Sequence, residues 1–280
     1  MGSEASLSAA APAAGGRCAL IIPARYQSSR FPGKPLMGIA GPDGASRPLI
    51  EWTYRAARAA ANGDPLFVAT DDERIAQAVR DFGGAVLMTD PACRNGTERV
   101  ADCLGQLDDV DILVNVQGDA LLTPPPFIAA LRDHMRTHPE TPVATVAIRA
   151  SGETYRHLAA DAAESRVGGT TVVLDGAARA LYFSKRILPY LPEDRMPDAD
   201  MPVLLHLGLY AYRRAALDRY VRTGVTMLET VEGLEQLRFL VGGTPVSVLT
   251  FEETGYPIVE VNNPSDIPIV EGILSRRDMP

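Results

Sequence analysis

The chain has 280 residues, 46% of them hydrophobic, enough for one large domain with a sizeable core. A formal net charge of −8 argues against a general nucleic-acid binder, whose basic face would dominate the count, so local cations must hold any anionic ligand. The three cysteines, Cys18, Cys93 and Cys103, show no CxxC spacing and no paired histidines; neither a zinc site nor a disulfide framework is indicated, and a reducing cytoplasm is the expected compartment.

Residues 1–17 read as a disordered Ala-, Ser- and Gly-rich leader without the basic start or apolar block of a signal peptide. Nowhere does an apolar run reach about eighteen residues, so no membrane partner is expected. Leu20-Ile21-Ile22-Pro23 ends a buried strand, and the following loop to Leu36 is too rich in Pro, Gly, Ser and Arg for helix or strand. With Arg25, Arg30 and Lys34 it offers three cations, together with main-chain N–H groups, to one polyanion, as a triphosphate requires. On charge alone it reads equally as a solvated basic connection. Neither Walker A nor the Rossmann glycine pattern fits, because Pro35 follows Gly33-Lys34 and no Gly-x-Gly-x-x-Gly occurs.

Apolar spacing predicts a helix over 48–61, a strand over 66–69 ending in Thr70-Asp71-Asp72, a helix over 73–82 and a strand over 85–88. This alternation predicts a parallel sheet with helices on both faces, and ligands at the strands' carboxyl ends. A polar turn at 94–97 opens a helix to about Leu107, with Thr97 as its cap or as a ligand group. The apolar strand 112–116 ends in Gln117-Gly118-Asp119, and a carboxylate at that tip suits a magnesium ion bridging phosphates better than a turn cap. Further on, the sequence predicts a helix to about Arg136, a strand over 142–149, a hairpin over 172–184, a surface loop over 189–202 and a strand over 204–212. His206 lies in an apolar run, where a lone histidine is ordinarily a satisfied core residue. Helices are expected over 215–222 and 229–241, the latter with Glu232, Glu235 and Gln236 on one face. A strand over 246–251, an extended stretch over 258–262 and a helix over 264–276 capped by Asn263 close the chain.

The loop Pro23-Ala24-Arg25…Arg30-Phe31-Pro32-Gly33-Lys34-Pro35-Leu36 resembles the signature of the sugar-activating nucleotidyltransferases. Its pattern is most similar to the cytidylyltransferases that activate 3-deoxy-manno-octulosonate (Kdo) as its CMP ester. Six further blocks match that family in order: 68–72, 95–99, 115–119, 180–185, 206–210 and 234–238. The resemblance implies a mostly parallel, Rossmann-like α/β sheet in a single domain over 18–280, with a β-ribbon insertion at about 172–212 used for homodimerisation. It implies CTP, magnesium and a small acidic acceptor, most simply an ulosonic acid. Carried over, it assigns Pro23, Ala24, Arg25, Arg30, Lys34, Asp71, Thr97 and Gln117 to the nucleotide, with Arg25, Lys34 and Asp119 catalytic. Asp119 and Asn262 would hold the metal, and Arg99, Lys185, His206, Tyr210 and Glu235 the acceptor, which reverses the bland reading of His206.

Three departures mark the acceptor half. Ala120-Leu121 replaces the family's Glu-Pro, 166–171 replaces its Asn-Pro-Asn block, and Asn262 stands where the family has its second metal-ligating aspartate. They keep open a cytidylyltransferase acting on a phosphonate or phosphonocarboxylate, and a non-catalytic nucleotide-binding homologue.

Overall fold

The computed structural model describes residues 16–27, 31–192 and 201–276. Arg30, most of the expected leader and much of the 189–202 loop lie outside them. In chain order the elements are β1 (Cys18–Ala24), β2 (Gly38–Ala40), β3 (Ser46–Pro48), α1 (Leu49–Ala61), β4 (Leu66–Thr70), α2 (Glu73–Asp81), β5 (Ala85–Met88), α3 (Gly96–Asp102) and β6 (Ile112–Val116). There follow α4 (Pro125–Thr137), β7 (Val143–Arg149), α5 (Gly152–Ala163), β8 (Thr171–Leu174), β9 (Ala180–Ser184), β10 (Leu204–Arg213), α6 (Arg214–Thr223), α7 (Met227–Glu232), α8 (Leu237–Val241), β11 (Val246–Phe251) and α9 (Ile267–Leu274).

The main sheet runs β11-β7-β10-β6-β1-β4-β5. Strands β6, β1, β4 and β5 are mutually parallel, as are β7 and β11, and β10 joins the two groups antiparallel to β6 and β7. All seven residues of β1 are buried, because both of its faces are covered. Leu20 and Ile22 pack with Ile50, Ala57, Ile75 and Leu131 from α1, α2 and α4. Ala19 and Ile21 face the opposite layer, with Val100, Leu217 and Phe239 from α3, α6 and α8. The chain leaves β1 toward β4 on one side and β6 on the other, so the crevice above its carboxyl end is a topological switch point.

Strands β8 and β9 form the expected antiparallel ribbon, and β8 pairs only with Leu204 and Leu205 of β10. The rest of β10 is an integral strand of the main sheet, not part of an insertion. The helix expected over 229–241 is broken: Gly233 takes a left-handed φ of 62° that ends α7, and α8 starts four residues later. Glu232 and Glu235 therefore point to different partners. Glu232 accepts from Ser184 Oγ at 2.8 Å, and Glu235 accepts from Thr97 Oγ1 at 3.1 Å. The stretch 258–262 finds no strand partner among the described residues, and the last helix begins only at Ile267, after a 3-10 turn at Pro264–Asp266.

Candidate active site

Two compartments open above the carboxyl ends of β1 and β6. The smaller, about 330 Å³, is lined by Ala24, Arg25, Lys34, Arg99, Gln117 and Asp119, among others. The larger, about 1220 Å³, takes in Lys185, His206, Tyr210, Glu235 and Glu260. They share Arg94, Asn95, Gln117, Asp119, Glu235 and Asn262, so the two spaces meet at Asp119.

The basic loop is held by its own backbone. The N–H groups of Gly33, Lys34, Leu36 and Met37 donate to carbonyls within the loop, so these residues present a side chain rather than free main-chain donors. That side chain is the Lys34 ammonium, 2.5 Å from the Asp119 carboxylate with both half-buried. Arg25 is exposed on the compartment wall, with no acidic partner within 4 Å among the described residues. Gly118 lets the β6 tip approach β1: a Cβ there would sit 2.8 Å from the Pro23 carbonyl oxygen, nearer than packed atoms allow.

Of the residues expected at the nucleotide, Pro23, Ala24, Arg25, Lys34 and Gln117 line the smaller compartment. Thr97 lies behind it, buried, its hydroxyl between Tyr212 and Glu235. The helix cap expected of Thr97 is supplied by Asn95, whose side chain accepts from the Glu98 N–H at 2.8 Å. Asp71 also stands back and pairs with Arg99 at 2.9 Å. Arg99, expected at the acceptor, lines the smaller compartment instead, fixed there by Asp71 and by Thr89 at 2.6 Å.

The larger compartment gathers Lys185, His206, Tyr210 and Glu235 as expected of neighbours. Pairing of β10 with β7 slips between Leu207 and Tyr210, a bulge beside the cavity. His206 Nε2 and the Thr145 hydroxyl share a hydrogen bond of 3.0 Å, and burial pushes the imidazole pKa down to about 3, so the ring is neutral at pH 7. Burial likewise raises Glu235, against the opposing Thr97 hydrogen bond. The exposed Lys185 ammonium has no acidic partner within 4 Å among the described residues. Beneath the shared wall, Arg238 is bound to Glu229 and Glu98 and fixes the turn that carries Glu235.

Glu260 escaped the reading of the sequence. Burial first, then repulsion from Asp119, pushes its carboxyl up to about 7, opposed by Lys34 and by the Asn262 side chain. The signal was present in a charged residue between Val259 and Val261, in a stretch of alternating character just before Asn262.

The profile of the cytidylyltransferase family matches residues 19–248. The chain belongs to that family. The 3-deoxy-manno-octulosonate cytidylyltransferase of Maricaulis maris is 45% identical over 91% of this chain and 96% of its own length. The enzyme of the same name from Vibrio cholerae is 38% identical over 92% and 98%. A solved structure of CMP:2-keto-3-deoxy-manno-octonic acid synthetase complexed with CTP superposes with a TM-score of 0.78 at 34% identity, covering 93% of this chain and 99% of that one. This cytidylyltransferase is thus a nucleotidyltransferase by sequence and by fold. None of its described helices is long and apolar enough to cross a membrane.

Proposed function

We propose that this cytidylyltransferase couples CMP from CTP to an ulosonic acid, with Kdo as the acceptor, and releases pyrophosphate. The observation that carries this is the junction at Asp119. A lysine that neutralises phosphate and a carboxylate that takes a cation stand together where the two compartments meet. An acceptor hydroxyl reaching from the larger space would find the α-phosphorus there, bond to it and displace pyrophosphate. Such transfers need alignment and charge neutralisation more than a covalent nucleophile.

Arg25 and Lys34 bind the triphosphate and Gln117 borders it. Arg99, locked by Asp71, shapes the wall of the same compartment. Lys185 takes the acid's carboxylate, while neutral His206, Tyr210 and Glu235 orient its hydroxyl groups. The donor set at the junction suits magnesium, which is commonly bound through one or two carboxylates plus phosphates. Asp119 would hold it, with the Asn262 amide oxygen beside it. When bound, magnesium offsets phosphate charge and lowers the pKa of a bound oxygen. A cytoplasmic homodimer completes the reading, supported by buried free thiols at Cys18 and Cys103 and by the exposed Leu181 on the β8–β9 ribbon.

Pyrophosphate release from CTP, measured with Kdo, other sugar acids and phosphonates, tests the assignment. Turnover of Kdo at ordinary enzymatic rates is expected. Turnover of a phosphonate alone would replace the acceptor, and CTP binding without turnover of any acid would mark a non-catalytic homologue.

A further inference from the structure

The chain brings Glu260 to the metal side of the junction by an unusual route. The Val261 N–H donates to the Asp119 carbonyl at 3.3 Å, so this stretch is fastened directly to the β6 tip. Val261 is fully buried, packed with Leu121 and Leu122. In extended chain the residues on either side of it point the opposite way, and both Glu260 and Asn262 line the larger compartment together with Asp119. The backbone there is pinned by Asp266, whose carboxylate accepts from the Asn262 and Asn263 N–H groups at 2.8 and 2.7 Å.

Among the described residues no lysine or arginine lies within 4 Å of the Glu260 carboxylate; Lys34 is engaged by Asp119. Gly208 leaves room for it, since a Cβ at that position would already lie 3.6 Å from Glu260 Oε1. Asp119 and Glu260 thus both line the larger compartment, the first paired with Lys34 and the second with no basic partner within 4 Å among the described residues. Such a pair is costly when left without a further cation, and a divalent ion is the ligand that relieves it. The amide at 262 supplies an oxygen but no charge.

We infer that Glu260 is the second anionic ligand of the divalent cation in this chain, taking over the charge that Asn262 lacks. The inference rests on the proposal that Asp119 holds the metal. It assigns a ligand set of Asp119, Glu260 and the Asn262 amide, with Glu260 entering two residues before the position the resemblance implies.

The test is Mn²⁺ titrated into the full chain saturated with CTP and without acceptor, free ion being read by electron paramagnetic resonance against a CTP-only blank. Glu260→Gln is expected to weaken Mn²⁺ binding at least about ten-fold. Adding Asn262→Asp to that variant is expected to restore most of the loss, which a general structural defect would not allow. Asp119→Asn should lose the ion in either background. If Glu260→Gln binds Mn²⁺ as the unaltered chain does while Asp119→Asn does not, the inference is overturned and the metal reading stands. If Asp119→Asn also leaves binding unchanged, both fail together. A Glu260→Gln variant whose only change is a raised KM for the acid would place Glu260 on the acceptor and likewise overturn the inference. Should Glu260→Gln fold poorly, Asn262→Asp alone decides: with Glu260 already supplying the charge it should tighten Mn²⁺ less than three-fold, and a larger gain would show the charge to be missing.

Discussion

Replacing Arg238 by methionine removes the centre of a buried polar cluster. Its guanidinium is fully enclosed, donates to both oxygens of Glu229 at 2.8 and 2.5 Å and to Glu98 at 2.9 Å, and lies 4.0 Å from the centre of the Tyr220 ring. Glu98 keeps Arg94 at 2.6 Å, so its loss is partial. Among the described residues Glu229 keeps only the weak capping contact from the Thr226 N–H at 3.3 Å, and its carboxylate, 10% exposed, is left without a cation. Removing one partner of a buried ion pair costs about 3–5 kcal/mol, and the retained Glu98–Arg94 pair puts this case at the lower end, about 3 kcal/mol. For a chain of this size that is a fall of about 6–12 °C in Tm. Differential scanning calorimetry of Arg238→Met and of Arg238→Met/Glu229→Met measures it, the double variant being expected to recover most of the loss because it leaves no lone charge. A single variant destabilised by less than about 1 kcal/mol would mean that these carboxylates behave as surface groups, and the reasoning would fail.

Three further outcomes follow from the same geometry. Gly118→Ala forces a methyl group to 2.8 Å from the Pro23 carbonyl, so about 1–3 kcal/mol of stability and most CTP turnover should be lost together; chemical denaturation beside a pyrophosphate assay checks it. Burial raises the Cys18 and Cys103 thiols to about 12, and Cys93, on the wall of the smaller compartment, to about 11. Mass spectrometry after iodoacetamide at pH 8 should therefore find slow labelling, confined to Cys93 and suppressed by CTP. An unfolded histidine takes up its proton near pH 6.5 and His206 in the folded chain only near 3, so the unfolded state binds more protons between those values. Stability from this group is complete above pH 6.5 and falls as pH drops toward 3, by at most about 1.4 kcal/mol per unit. His206→Gln should remove that slope from urea titrations at pH 5 and 7, and an unchanged slope would count against a buried neutral ring.

The nucleotide half was legible because its strands and helices follow local rules. Leu20–Ile22 and Ile112–Val116 are compact aliphatic runs buried on both faces, and α1 and α2 carry plain apolar stripes. What escaped depends on contacts distant in sequence. Helix α5 buries only Leu158, so it carries no stripe to read. The apolar period runs straight across Gly233, and only the left-handed turn there sends Glu232 to the ribbon and Glu235 to Thr97. The stretch 258–262 alternates as a strand does, but its one hydrogen bond to the β6 end is to Asp119, and that bond gives Glu260 its place at the junction. Arg99 could not be assigned to a compartment from its block, because its position is set by Asp71 and Thr89, 28 and 10 residues away.

The proposed division of labour puts the nucleotide on the loop after β1 and the acid in the larger compartment, with Asp119 between them. Calorimetric titration of CTP, with magnesium present, into Lys34→Met and Lys185→Met tests it most directly. A charge-assisted contact contributes about 1.5–3 kcal/mol, so Lys34→Met should weaken CTP binding about ten-fold or more, while Lys185→Met should leave it within about two-fold of the unaltered chain. Equal losses in the two variants, or a loss in Lys185→Met alone, would contradict the account.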